Sequence, residues 1–238
     1  RLASREMVSA TIDDAIKRVE CLGFTVLDVP RDGSCFFHCI KWWLLHLLGE
    51  VAALRLLQSD KVNQAAVRTF VCDWAAANHD FVLDDEGEET VAQQAVRAAV
   101  HDWPTPVGTF PLLSPEEELA EQFAEVLYRM RRDEWADAFW ATVVAPAALG
   151  FRIDVKSSTG FQAPPQLLPK WMPNYDDSLK REIITLGHAV VNGDGRHYFV
   201  LCPAPNGSSC RVATSGSATT AAITPPPSAP PPPPLTLT

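Results

Sequence analysis

The sequence predicts a mixed chain of the α/β (α+β) class: a small central sheet flanked by helices, followed by a disordered proline-rich C-terminal tail. Three observations carry that expectation. Several segments repeat apolar residues at helical spacing between recognisable caps. Two apolar runs near residue 190 bracket a Gly-containing turn. Composition changes abruptly near residue 203.

The first helix is read from "SATIDDAIKRVECLG", where Ile12, Ile16, Val19 and Leu22 share a face, Thr11 is placed as N-cap with Asp14 three residues on, and Gly23 stops it. "FTVLDV" is a short strand and residues 30–34 a turn. Residues 35–48 form a helix whose aromatic and leucine positions lie all round, which implies burial on several sides. Segments 50–58, 61–78 and about 90–100 continue as helices, with the acidic loop "DDEGEE" between the last two. "SPEEELAEQFAEVLYRMRR" opens with Ser114 as N-cap and Pro115 in the first turn. Its glutamates face the positive end of the helix dipole and its arginines the negative end. "DEWADAFWATVVAPAALG" predicts one more helix, kinked or shortened by Pro146. "FRIDV" is a strand, 157–180 a long irregular loop, and "EIITLGHAVV", "NGDG" and "RHYFVLC" a closing hairpin.

Ten of the 20 prolines fall between Pro203 and Thr238, where Arg211 is the only charged residue. Such a segment has too little apolar surface to offset its ordering entropy, so 1–202 is taken as the folded domain and 203–238 as a disordered linker or tail. The net charge of −9 counts against a nucleic-acid backbone as partner. No apolar run reaches the length of a membrane span and the N-terminus lacks a signal-peptide core. The first residue is not methionine, so the chain is read as a fragment or a processed product. The six cysteines form no CxxC pair, which points away from a zinc ribbon, a redox motif or a disulfide framework and toward reduced thiols in the cytoplasm.

One thiol is placed differently. In "RDGSCFFHCI" a polar turn runs straight into an apolar helix, with Cys35 on the junction. Unpaired amides at a helix start favour a thiolate, and the amides of the 32–35 loop, with Gly33 and Ser34, could receive an oxyanion. Such a nucleophile needs a base, which His197 in "RHYFVL" could supply from a strand. His188, inside an apolar strand, is the weaker candidate. Cys39 is read as core, and Cys35, His38 and Cys39 as too few ligands for a metal, so neither metal nor cofactor is expected.

These blocks resemble the ovarian tumour (OTU) family of cysteine proteases. "DGSCFFHCI" matches its nucleophile motif and "HYFVL" its His-aromatic pair. "YRMRRDEWADAFWATVVAPAALGFRIDV" is similar to the stretch of Met, acidic spacer, Trp, helix and strand between them. The resemblance covers about residues 20–202 and implies a papain-like OTU fold. It makes Cys35 the nucleophile, His197 the general base and Asp32 an organiser of the oxyanion loop. It implies hydrolysis of isopeptide bonds after the C-terminus of ubiquitin or a ubiquitin-like protein, in the cytoplasm, or the host cytoplasm for a viral member. Trp135 and Tyr198 are candidate walls of the substrate groove.

The sequence departs from the family at Phe199, where many members carry an Asp or Asn that orients the histidine. Asp194 and Asn192, in the turn before His197, are the substitutes considered. Two other functions stay open: processing of a precursor polyprotein, which some viral OTU domains combine with deubiquitination, and a ubiquitin-binding pseudoprotease.

Overall fold

The computed structural model describes residues 11–21, 23–82, 89–103, 107–109, 112–132, 134–157, 162–163, 183–190 and 196–203. The chain runs α1 (Ile12–Glu20), β1 (Phe24–Leu27), α2 (Cys35–Leu57), α3 (Gln64–Ala77), α4 (Val91–Asp102) and α5 (Pro115–Arg132). A π-helical turn (Trp140–Val144) then leads into α6 (Ala145–Leu149), β2 (Arg152–Ser157), β3 (Gln162–Ala163), β4 (Ile183–Val190) and β5 (Arg196–Pro203). The fold is α+β, with a small central sheet flanked by helices. The tail beyond residue 203 lies outside the described residues.

Local chemistry sets most boundaries. Thr11 caps α1 by accepting from the Asp14 amide at 3.1 Å. Asn63 caps α3, and Thr90 and Gln93 cap each other's amides at the start of α4. Ser114 and Glu117 make the same reciprocal arrangement before α5. Within α2 the segments read as 35–48 and 50–58 are two helical stretches that meet at a kink at Gly49, whose φ of 73° and ψ of 168° no helix accommodates.

The helix expected over 133–150 is shorter than its sequence suggests. Residues 134–137 are not helical, because Asp137 acts as a cap, accepting from the Trp140 amide at 3.1 Å. Pro146 then leaves its own turn without a donor, and the Ala145 amide reaches back five residues to the Trp140 carbonyl.

The sheet order is β1-β5-β4-β2-β3. β4 and β5 form the expected antiparallel hairpin, with His188 opposite Tyr198 and Ala189 opposite His197. β1 pairs antiparallel with β5 from Phe24↔Pro203 to Leu27↔Val200, whereas β2 and β4 are parallel. Alternation divides β5 between two cores. Phe199 and Leu201 join Ala189, Ala15 and Val19 beneath α1, while Tyr198, Val200 and Cys202 face α2 and the helical layer. The first half of α2 is therefore largely enclosed, with Phe36, Phe37, Ile40 and Leu44 at most 1% exposed, as its all-round hydrophobicity predicts. The Trp43 indole also donates to the Thr185 carbonyl of β4.

Phe199 reaches across the hairpin onto Gly187, where a Cβ would stand 1.9 Å from its ring. Gly187→Ala is expected to destabilise the fold by about 1–3 kcal/mol through this overpacking. Urea denaturation checks it, and an unchanged midpoint would show that the ring yields freely.

Candidate active site

Cys35 is the first residue of α2, set there by a tight turn. The Asp32 carboxylate accepts from the Ser34 amide at 2.8 Å, and the Cys35 amide donates to the Asp32 carbonyl at 3.2 Å. The second Asp32 oxygen faces His38 Nε2 at 3.3 Å. Asp32 thus shapes the loop through its own hydrogen bonds. The same bonds alter the expectation for the oxyanion loop, because the Ser34 and Cys35 amides are already engaged inside the turn. One of them has to be released, or the Asp32 and Gly33 amides used, before an oxyanion can be received.

The sulfur meets β5. The Tyr198 amide donates to Cys35 Sγ at 3.4 Å, so the residue next to His197 touches the thiol although 163 positions separate them in sequence. The imidazole itself is held elsewhere: Nε2 lies 2.6 Å from Asp28 Oδ1. His197 is 1% exposed, and Asp28, at 41%, brings its carboxylate in from the rim. A carboxylate on Nε2 favours the tautomer with the proton there, leaving Nδ1 as the basic atom.

Asp28 is the residue the sequence did not disclose. The expected position, Phe199, is buried under α1, and Asp194 and Asn192 lie outside the described residues. Asp28 follows β1, and continuing the β1–β5 register by one step sets it beside Phe199 and diagonal to His197. Its other oxygen accepts from Arg31 Nη2 at 3.0 Å and Nε at 3.3 Å. Arg31 also reaches Asp13 of α1 at 2.6 Å. Burial pushes the Asp28 carboxyl up, but hydrogen bonds and charge from His197 and Arg31 outweigh it and hold the acid below its ordinary value. The one sequence signal for it was an acid ending the strand that pairs with the histidine's strand.

The thiol differs from the sequence expectation. Burial pushes Cys35 up to about 11, with the Asp32 charge adding to the rise and the Tyr198 and Phe36 amides opposing it. Cys35 is 1% exposed. A helix start favours thiolate only where the sulfur is also solvated or paired with a cation, and here desolvation wins. Cys35 is therefore held as a neutral thiol shielded from solvent.

The aromatic neighbours close one side. The Tyr198 ring is 2% exposed and packs on His188 at 4.5 Å, Phe36 at 5.3 Å and Trp135 at 6.0 Å between centroids. Tyr198 is thus a core residue offering its amide to the site, whereas half-buried Trp135 remains at the margin. Burial holds His188 down at about 4, with Arg196 and His197 adding to the effect, and among the described residues its Nε2 has no hydrogen-bond partner. A cavity of about 700 Å³ opens on the outer side of α3, lined by Leu57, Asn63, Phe70 and Trp74 among others, and includes neither Cys35 nor His197. Among the described residues, no group of three or more His, Cys, Asp or Glu side chains is placed to hold a metal ion, and no helix is long and apolar enough to cross a membrane.

A neutral resting thiol has a kinetic signature. Iodoacetamide alkylation of Cys35 in the free protein is expected to rise about tenfold per pH unit from neutrality, with no plateau below about pH 10. Peptide-resolved mass spectrometry reads it, and a plateau near neutral pH would indicate a preformed thiolate instead.

No protein-family model matches the chain, and no curated protein matches it in sequence. Likenesses are found among solved structures. The chain is similar to an OTU deubiquitinase from Wolbachia pipientis wMel, at 17% identity and a TM-score of 0.41, over 79% of this chain and 93% of that one. It is also similar to the viral OTU domain protease from Dera Ghazi Khan virus, at 17% identity and a TM-score of 0.35, over 75% of this chain and 80% of that one.

Proposed function

We propose that the chain is a cysteine protease of OTU type that hydrolyses isopeptide bonds after the C-terminus of ubiquitin or a ubiquitin-like protein. Cys35 is the nucleophile, His197 the base and Asp28 the residue that orients it. The observation that supports this most is the meeting of two sequence blocks at one point: Tyr198 of the His-aromatic pair donates its amide to the sulfur of the Asp-Gly-x-Cys turn. The imidazole of His197, which makes no hydrogen bond to that sulfur, carries a carboxylate on Nε2.

The chemistry follows from the protonation states. With the thiol resting neutral, His197 Nδ1 takes its proton as the sulfur attacks the carbonyl carbon. Negative charge gathers on the carbonyl oxygen, where loop amides can stabilise it. The tetrahedral adduct collapses to a thioester as the imidazolium gives its proton to the departing lysine amine. Water, deprotonated by His197, then attacks the thioester, and the returned proton restores the thiol. Asp28 keeps Nε2 protonated and stabilises the imidazolium in both halves.

The buried thiol favours a second reading, a ubiquitin-binding pseudoprotease, and one reagent separates the two. A ubiquitin bearing a C-terminal electrophile is expected to form a covalent adduct that Cys35→Ala abolishes. Asp28→Asn is expected to slow turnover of a ubiquitin amide by about 10²- to 10⁴-fold, by analogy with the loss of a histidine-orienting carboxylate. Ubiquitin binding without an adduct would support the pseudoprotease. Full activity in Asp28→Asn would remove the orienting role.

A further inference from the structure

Arg68 is a buried cation, 3% exposed, on the inner side of α3. Its Nη1 donates to the carbonyls of Met130 at 2.5 Å and Glu134 at 2.8 Å. Its Nη2 donates to the Gly33 carbonyl at 2.7 Å and the Ser34 hydroxyl at 3.2 Å. The guanidinium lies over the Phe37 ring, 4.3 Å from its centroid. Burying a charge is costly unless its hydrogen bonds are met, and a planar fork can meet several oxygens in fixed directions where an ammonium cannot.

Fastening α3 to the end of α5 and the segment after it would account for the Met130 and Glu134 bonds alone. The other two go to the residues immediately before Cys35. The Gly33–Ser34 peptide is gripped at both ends, its carbonyl by Arg68 and its amide by the Asp32 carboxylate. A peptide unit is planar, so two opposed hydrogen bonds fix its orientation and with it the direction in which the chain enters Cys35. Ser34 occupies the N-cap position of α2 without capping it through its side chain. Its hydroxyl instead accepts from Arg68.

We propose that Arg68 is a positioning residue for the nucleophile: it locks the Gly33–Ser34 peptide and thereby sets where the Cys35 sulfur stands against β5. The same side chain ties this loop to Glu134, which precedes Trp135 at the margin of the site, so nucleophile loop and aromatic wall share one anchor. The inference rests on Cys35 being the reacting thiol, and its test reads the loop directly.

The experiment is Arg68→Lys, with Ser34→Ala as the milder variant should the first not fold. Alkylation by iodoacetamide at neutral pH is followed thiol by thiol, and Cys39 and Cys72, both buried, serve as references. Release of the loop is expected to speed Cys35 labelling about fivefold or more in Arg68→Lys and about twofold in Ser34→Ala, with the references unchanged. In the same Arg68→Lys protein kcat on a ubiquitin amide is expected to fall about tenfold or more with KM little altered, since small misplacements of a reacting group are costly. Labelling that rises equally at all three thiols, or at none, would show a residue that merely supports the fold and would overturn the proposal, as would an unchanged kcat. A wild-type chain without activity on ubiquitin would count against the proposed function alone, and the contrast between the thiols would still decide the role of Arg68.

Discussion

The site depends on one packing constraint: the start of α2 is driven against the middle of the sheet. Nothing in the 31–35 turn compels Cys35 toward β5. The force comes from Phe36, Phe37, Ile40 and Leu44, whose near-complete burial contributes about 1.5–3 kcal/mol for each side chain. That burial is satisfied only with the helix enclosed between Tyr198, Val200 and Cys202 on one side and the helical layer on the other. Once it is enclosed, its first residue has little freedom, and the sulfur comes to rest on a backbone amide of β5. The hydrophobic core thus performs the long-range part of assembling the site, and hydrogen bonds make the local adjustments.

What the sequence disclosed follows from which interactions are local. The caps at Thr11 and Ser114, the break after residue 48 and the closing hairpin all depend on neighbours within a few positions. Cys35 and His197 stood out as candidates because each sits in a compact local motif, and the structure brings the backbone beside His197 to the Cys35 sulfur. Asp28 and Arg68 were not, for a common reason. The role of Asp28 depends on β1 pairing with β5, with partners some 170 positions apart, and a register cannot be read from either strand alone. Arg68 lies in a helix whose pattern shows only that some side chain at that position turns inward. The short helix after residue 137 escaped for the opposite reason: a local cap at Asp137 overrode a convincing periodicity.

The thiol's protonation shows where a rule of position gives way to environment. A helix start and a nearby aspartate were both visible in the sequence, and the aspartate in fact raises the thiol. Desolvation by the same side chains that place Cys35 is the larger effect. Placement and activation therefore oppose each other here. A sulfur fixed by a closed core is held in place yet poorly ionised, so under the proposed function the base would have to supply at the moment of attack what solvation does not supply at rest.

Phe199 completes this logic. A carboxylate two residues after the histidine would have to lie on the face of β5 that α1 covers, over Gly187 and among Ala15, Val19 and Leu201. A charge there would be desolvated among apolar side chains, with the imidazole of His197 as its neighbour on that face. Moving the acid one strand sideways, to the rim at Asp28, keeps it adjacent to His197 while leaving it hydrated and paired with Arg31. The consequence is a dependence that a same-strand acid would not have: the histidine is oriented only while β1 stays zipped to β5. Arg31, bridging Asp28 to Asp13, extends that dependence to α1.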